Sequence, residues 1–361
     1  MPLPTPGPTP PLRPLPLFLC AVIAAVPYLP CFAQAVTAGR ATARGQDACP
    51  RLPEGSTLTS PTDRISKHGL LKVSLKLRNS LDPNDHMRYC YVDRHGNPAP
   101  TLRVKPGDRL YLRLKNGISI PSMNGSSAAI PTMVAAKNLG VRKHDPCAGG
   151  AMTASSTNLH FHGLAVPPVC HQDETLKTHI EPGDPPFEYR IQIPRDQPPG
   201  LYWYHPHVHR FSEDQLLGGA SGALIVEGIE RAVPRVAGLP ERLFVIRDEK
   251  MPEASGSDRP DVNRPAKQIS INNVPVPYPK YPPALIKMKP RERQFWRVLN
   301  ASADTYVSLY VEFGGERQGI GLVALDGVPL HYGEPGAKDY APQPKQHIWT
   351  DISCWGLPRA G

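Results

Sequence analysis

Beyond the N-terminal region the chain has no clean apolar run of about 20 residues, the length a membrane-crossing helix needs. The one long apolar stretch, Leu15 to Phe32, is broken by Pro27 and Pro30 and reads as a leader rather than an anchor. No two of the seven cysteines are spaced Cys-x-x-Cys, so no paired-thiol motif is available. There is no basic stripe either. The formal charge is +9, but its lysines and arginines are dispersed, which argues against nucleic acid as a partner.

What is present starts with export. Arg13 precedes the apolar stretch, and Ala33-Gln34-Ala35 fits a small-residue cleavage site with Val36 as the mature start. Residues 1–35 are read as a signal peptide and the destination as periplasmic or secreted. Cys20 and Cys31 leave with it; Cys49, Cys90, Cys147, Cys170 and Cys354 remain. Disulfides are allowed in such a compartment, and an odd number leaves at least one thiol unpaired. Cys147 and Cys170, flanking the first histidine pair, are a candidate bridge.

Proline, at 45 residues, argues against long helices, because it lacks the amide donor a helix interior uses. Period-two alternation dominates instead. Leu71, Val73, Leu75 and Leu77 alternate with Lys72, Ser74, Lys76 and Arg78; Leu110, Leu112 and Leu114 repeat the pattern, as do Tyr189, Ile191 and Ile193. These are half-buried strands of a sandwich. Turn signals separate them at Arg94–Pro98, Lys105–Asp108 and Gln197–Gly200. Val104–Asn116 also aligns with Met288–Asn300, sharing a lysine, a proline, two arginines and the final asparagine in register. The expectation is a duplicated all-β sandwich. An extension over 36–60 precedes a first domain over 61–228; Ile229–Gly238 is a connector, and a second, partial domain runs over 239–333. Residues 115–157 and 256–265 read as loops.

His160-Phe161-His162 and His205-Pro206-His207 carry the chemistry. Residues two apart in a strand share a face, so each pair points one way. Pro206 places the second pair at a strand end. Neutral imidazole binds copper, zinc, iron and nickel, and no carboxylate lies within either unit, which disfavours a hard-metal site. A zinc hydrolase would need an open position and a general base, and none is evident by spacing.

Asn158-Leu-His-Phe-His-Gly163 and Tyr202-Trp-Tyr-His-Pro-His207 resemble the first two copper motifs of multicopper oxidases. Pro100–Asp108, Gly218–Glu227, Leu299–Asp304 and Ala324–Pro329 resemble further segments of the same family. The resemblance implies tandem cupredoxin-like Greek-key β-sandwiches, the second one incomplete. It implies copper at His160, His162, His205 and His207: type 2 at His160, one type 3 ion at His162 and His205, the other at His207. His209 falls outside the ligand pair, and Phe161 and Trp203 are read as packing residues. In the family a small-molecule reductant delivers electrons and O2 is reduced to water.

The family's third and fourth motifs do not occur. After His209 only His331 and His347 remain, neither in an HxH, and Cys354 has no adjacent histidine. Half of the cluster ligands and no type 1 site can be assigned. Residues 334–361 diverge from the family text. A truncated or frame-shifted product, completed by a missing third domain or a second chain, is the expectation. A non-catalytic copper-binding or sequestration protein, or an inactive remnant, is the alternative.

Overall fold

A computed structural model describes residues 47, 49–119, 144–252 and 262–330. The expected leader, residues 36–46 and 48 of the N-terminal extension, His331, His347, Cys354 and the tail lie outside the described residues, as do 120–143 and 256–261 of the two expected loops.

The first part is built of β1 (Asp63–Ile65), β2 (Leu70–Leu81), β3 (Met87–Asp93), β4 (Thr101–Val104), β5 (Arg109–Gly117), β6 (His160–His162), β7 (Phe187–Gln192), β8 (Gly200–His205) and β9 (Gly222–Val226). One sheet runs β1-β4-β9-β8-β6 and the other β3-β2-β5-β7. The alternating leucines decide how they meet. Leu71, Val73, Leu75 and Leu77 of β2 and Leu110, Leu112 and Leu114 of β5 turn inward, where they join Leu102, Val104, Phe161, Tyr189 and Leu224 in one core. Each fully buried leucine contributes roughly 1.5–3 kcal/mol relative to exposure. The intervening lysines and arginines face water.

The helices are short, in keeping with the proline content: α1 (Ser212–Leu217) and α2 (Ile229–Ala232). α2 and a 3-10 turn at Pro234–Val236 occupy the expected connector. Among the described residues no helix is long and apolar enough to cross a membrane.

The second part holds β10 (Glu241–Lys250), β11 (Lys267–Ile271), β12 (Val274–Val276) and β13 (Phe295–Asn300), ordered β12-β11-β10-β13. Two hairpins follow, β14 (Val311–Phe313) with β15 (Glu316–Gln318), and β16 (Ala324–Leu325) with β17 (Val328–Pro329). Leu243, Phe244, Val245 and Ile246 are all buried, as a continuous apolar run in a strand covered on both faces should be. Leu243, Val245, Leu299 and Ala301 pack against Ala223, Leu201 and Trp203, so the outer face of β8 and β9 supports the second part. Arg103 reinforces the join, with Nη1 2.8 Å from Glu227 and Nη2 2.5 Å from Glu241.

The two aligned segments have the same local geometry. Asp108 accepts from the Lys105 backbone N–H at 2.7 Å, and Glu292 accepts from the Lys289 N–H at 2.6 Å. Each turn then feeds a strand lying parallel to the first long strand of its own part, β5 on β2 and β13 on β10. Asn116 and Asn300 each accept a hydrogen bond from the backbone N–H two residues on. The third turn position takes positive φ in both, +86° at Gly107 and +60° at Arg291. One difference from the sequence reading is that Lys115, Asn116 and Gly117 belong to β5, so the loop begins after them.

Disulfides link Cys49 to Cys90 and Cys147 to Cys170, with Cα separations of 5.4 and 5.7 Å. The second is the candidate pair flanking the histidines. The first ties the N-terminal segment to β3.

Candidate metal centre

β6 and β8 are antiparallel neighbours, with His160 opposite His205, Phe161 opposite Tyr204 and His162 opposite Trp203. The pleat sends Phe161, Tyr202 and Tyr204 into the core. It sends His160, His162, Trp203 and His205 to the other face. β8 stops at His205 and Pro206 follows at once, so the chain leaves the ladder where a proline removes a donor. The ring centroid of His160 lies 5.3 Å from that of His162, 5.1 Å from His205 and 5.6 Å from His207. The four residues therefore converge from two sequence units 45 positions apart.

Asn158 locks the two units together. It is fully buried. Its side-chain carbonyl accepts the His207 backbone N–H at 2.6 Å, and its amide donates to the carbonyls of Thr178 at 2.9 Å and His207 at 3.2 Å. Gly163 closes the first unit with φ +86°, and a Cβ there would sit 2.8 Å from the Tyr202 ring. Only glycine meets both conditions.

Each ring's free nitrogen follows from what the other one does. Asp173 receives the Nδ1–H of His160, with Oδ2 at 2.9 Å and Oδ1 at 3.1 Å, and Oδ1 also accepts the Phe161 backbone N–H at 2.9 Å. The Pro206 carbonyl receives the Nδ1–H of His205 at 2.9 Å. Both rings therefore keep the unprotonated lone pair on Nε2. The Nε2 of His205 faces the Nδ1 of His162 at 3.3 Å. One ring nitrogen from each of His160, His162 and His205 falls within 4.8 Å of the other two, spacing that suits a shared metal ion.

Burial drives the His205 pKa down to about 3, with the neighbouring imidazoles adding to the effect and the Pro206 hydrogen bond opposing it. Burial also lowers His162, helped by His160. Both rings are neutral at ordinary pH, the form a metal ligand requires. Trp203 stacks on both, with centroids 4.1 Å from His205 and 5.1 Å from His162. The indole also packs against the second part, so it is both a packing residue and one wall of the site. The histidines open into a cleft of about 1870 Å³ that they share with Trp296, Asn300 and Asp326 of the second part.

Comparison with known proteins gives this geometry a family. A multicopper oxidase family model matches residues 151–231, the span that holds both histidine pairs, Asn158 and Asp173. The chain carries a multicopper oxidase domain. It is 24% identical over 239 residues to the iron transport multicopper oxidase of Gibberella zeae, covering 64% of this chain and 30% of the relative. It is 22% identical over 129 residues to Laccase-2 of Thanatephorus cucumeris, covering 36% of this chain and 16% of the relative. The McoA multicopper oxidase of Aquifex aeolicus matches in fold with a TM-score of 0.52 at 17% identity, over 77% of this chain and 53% of that one. The likeness supports an all-β, cupredoxin-like architecture. The chain spans about half or less of the length of these relatives.

Sequence reasoning reached the four histidines of the multicopper oxidase domain but not what holds them. His209 is exposed, and its backbone N–H contacts the Met152 sulfur at 3.1 Å. Asp173 went unnoticed because it lies 13 residues from His160, in a turn with no motif of its own. The role of Asn158 had a faint signal, its place at the head of the first pair. All four described cysteines are tied up in disulfides.

Proposed function

We propose that this is an exported copper-binding protein of the multicopper oxidase type, with His160, His162, His205 and His207 as copper ligands. The observation that carries the reading is the convergence of four imidazoles, two of which already have their Nδ1 protons committed to Asp173 and the Pro206 carbonyl. Neutral nitrogen donors without a carboxylate ligand suit copper over magnesium or calcium. Two disulfides fit an oxidising, periplasmic or secreted setting. Residues 61–228 form the domain that bears the site, and 239–333 a second, partial one.

Bound copper would supply one-electron redox chemistry, which relatives of this type couple to reduction of O2 by a small-molecule reductant. The chain's own residues prepare the site. Asp173 and Pro206 fix the tautomers of His160 and His205. Trp203 covers one flank of His162 and His205 and keeps water from that side. Asn158 holds His207 in register with His160. These four histidines are type 2 and type 3 ligands in the family pattern, and the remaining ligands come from a further domain or a second chain. A non-catalytic copper-binding role is the second reading. It is favoured by the absence, among the described residues, of any cysteine free to act as a thiolate ligand.

The test is copper reconstitution of the chelated protein from Val36, read by stoichiometry, optical spectrum and oxygen uptake on a phenol. Colourless copper, lost in the His160→Ala, His207→Ala double variant and unaccompanied by oxygen uptake, is the expected result. Copper retained in the double variant would overturn the ligand assignment. A strong blue thiolate band with oxygen uptake would overturn the need for a further domain or chain.

A further inference from the structure

A second pair of histidines, not among the four above, meets nitrogen to nitrogen. His144 precedes the Cys147–Cys170 disulfide, and His179 follows the Glu174–Thr178 turn. Their Nε2 atoms are 3.2 Å apart. The other nitrogen of each ring is already committed. Asp184 Oδ2 lies 2.6 Å from Nδ1 of His144, and the Lys177 carbonyl lies 2.9 Å from Nδ1 of His179. Both acceptors demand that the proton sit on Nδ1. In the neutral rings the two Nε2 lone pairs therefore point at each other with no hydrogen between them. Such a contact is repulsive unless a cation lies between the nitrogens, either a proton or a metal ion.

The surroundings are built to hold the pair. His179 is 4% exposed. Its backbone N–H donates to Pro146 at 3.1 Å, and Ile180 pairs with Thr157, two residues before Leu159 in the strand entry to His160. Asp184 Oδ2 also accepts the Glu181 N–H at 2.8 Å, so its carboxylate is fixed before it reaches His144. Glu181 Oε1 lies 3.9 Å from His179 Nε2. Two imidazole nitrogens each about 2.0–2.1 Å from a tetrahedral ion are about 3.3 Å apart, close to the spacing seen. We propose that His144 and His179 form a separate binding site for a borderline divalent ion, zinc or cupric, with Glu181 or water completing the shell and Asp184 as the positioning residue.

The test uses the whole chain and Zn²⁺ alone, followed by long-range proton–nitrogen spectra of the histidine rings and by equilibrium dialysis. The expected result is that the Nε2 signals of His144 and His179 shift and saturate together. His144→Gln, a change at a ring that is 31% exposed, then loses one equivalent of zinc while circular dichroism stays unchanged. Asp184→Asn weakens that equivalent about 10–100-fold. A ring proton shared between the two nitrogens that persists at saturating zinc would overturn the proposal. Unchanged stoichiometry in His144→Gln would do the same. Signals from the four cleft histidines are read in the same spectra, so failure here is distinct from failure of the copper reading.

Discussion

Acid should unfold the metal-free protein partly through a single ring. His205 is 6% exposed and its folded pKa stands at about 3, against about 6.5 for the unfolded side chain. Between those values the unfolded chain binds a proton that the folded chain refuses. Stability is therefore complete above the unfolded pKa and falls as the pH drops through the window from about 6.5 to about 3. Integrating the linkage from pH 7 to pH 5 gives a loss of about 2 kcal/mol from this residue. Urea unfolding in chelating buffer, followed across that range, measures it. His205→Gln keeps a polar side chain of similar reach but carries no titrating proton. The wild-type midpoint should fall with pH more steeply than that of the variant, with a gap corresponding to about 2 kcal/mol at pH 5 relative to pH 7. Parallel curves would refute the reasoning, because they would mean that the ring is solvated enough to take its proton while folded.

Asp173→Asn leaves an oxygen for the Phe161 N–H but removes the charge that orients His160. Copper affinity should fall about 10–100-fold, equal to about 1.4–2.7 kcal/mol, with little change in the melting midpoint, as read by competition with a chelator of known affinity. Arg291 is exposed and occupies with positive φ the position that Gly107 fills in the first turn. Arg291→Gly should raise stability by about 0.5 kcal/mol and Arg291→Val should lower it by about 1 kcal/mol or more. Equal midpoints for the two variants in denaturant titration would show that the two turns are not equivalent.

The parts of this molecule that were legible in the sequence are those governed by local periodicity. Leu71 to Leu77 and Leu110 to Leu114 alternate because each strand has one wet face, and that alternation is written in adjacent letters. The shared face of His160 and His162 follows from the same period of two, and the strand end at His205 follows from Pro206. The repeated lysine-proline turns with their acidic caps were legible as text, and their common geometry explains why an acid stands at both Asp108 and Glu292.

The parts that were not legible depend on long-range pairing. Asp173 is an unremarkable turn residue until β6 brings the His160 ring beside it. His144 and His179 are 35 positions apart and look like scattered polar residues; only the disulfide and the pairing of Thr157 with Ile180 bring their rings together. Trp203 was legible as an apolar residue on β8, but its stacking on two imidazoles required the register that sets it opposite His162. The pattern has a physical cause. A ligand must project from a strand at a fixed period, so it leaves a motif. A group that orients a ligand needs only to be within hydrogen-bond reach, and any loop the fold carries to that place can supply it. Asp173, the Pro206 carbonyl and Asp184 all do this for different rings, and Asp173 and Asp184 come from turns outside the histidine units. Function in this chain therefore rests as much on where its turns return as on the histidines that announce it.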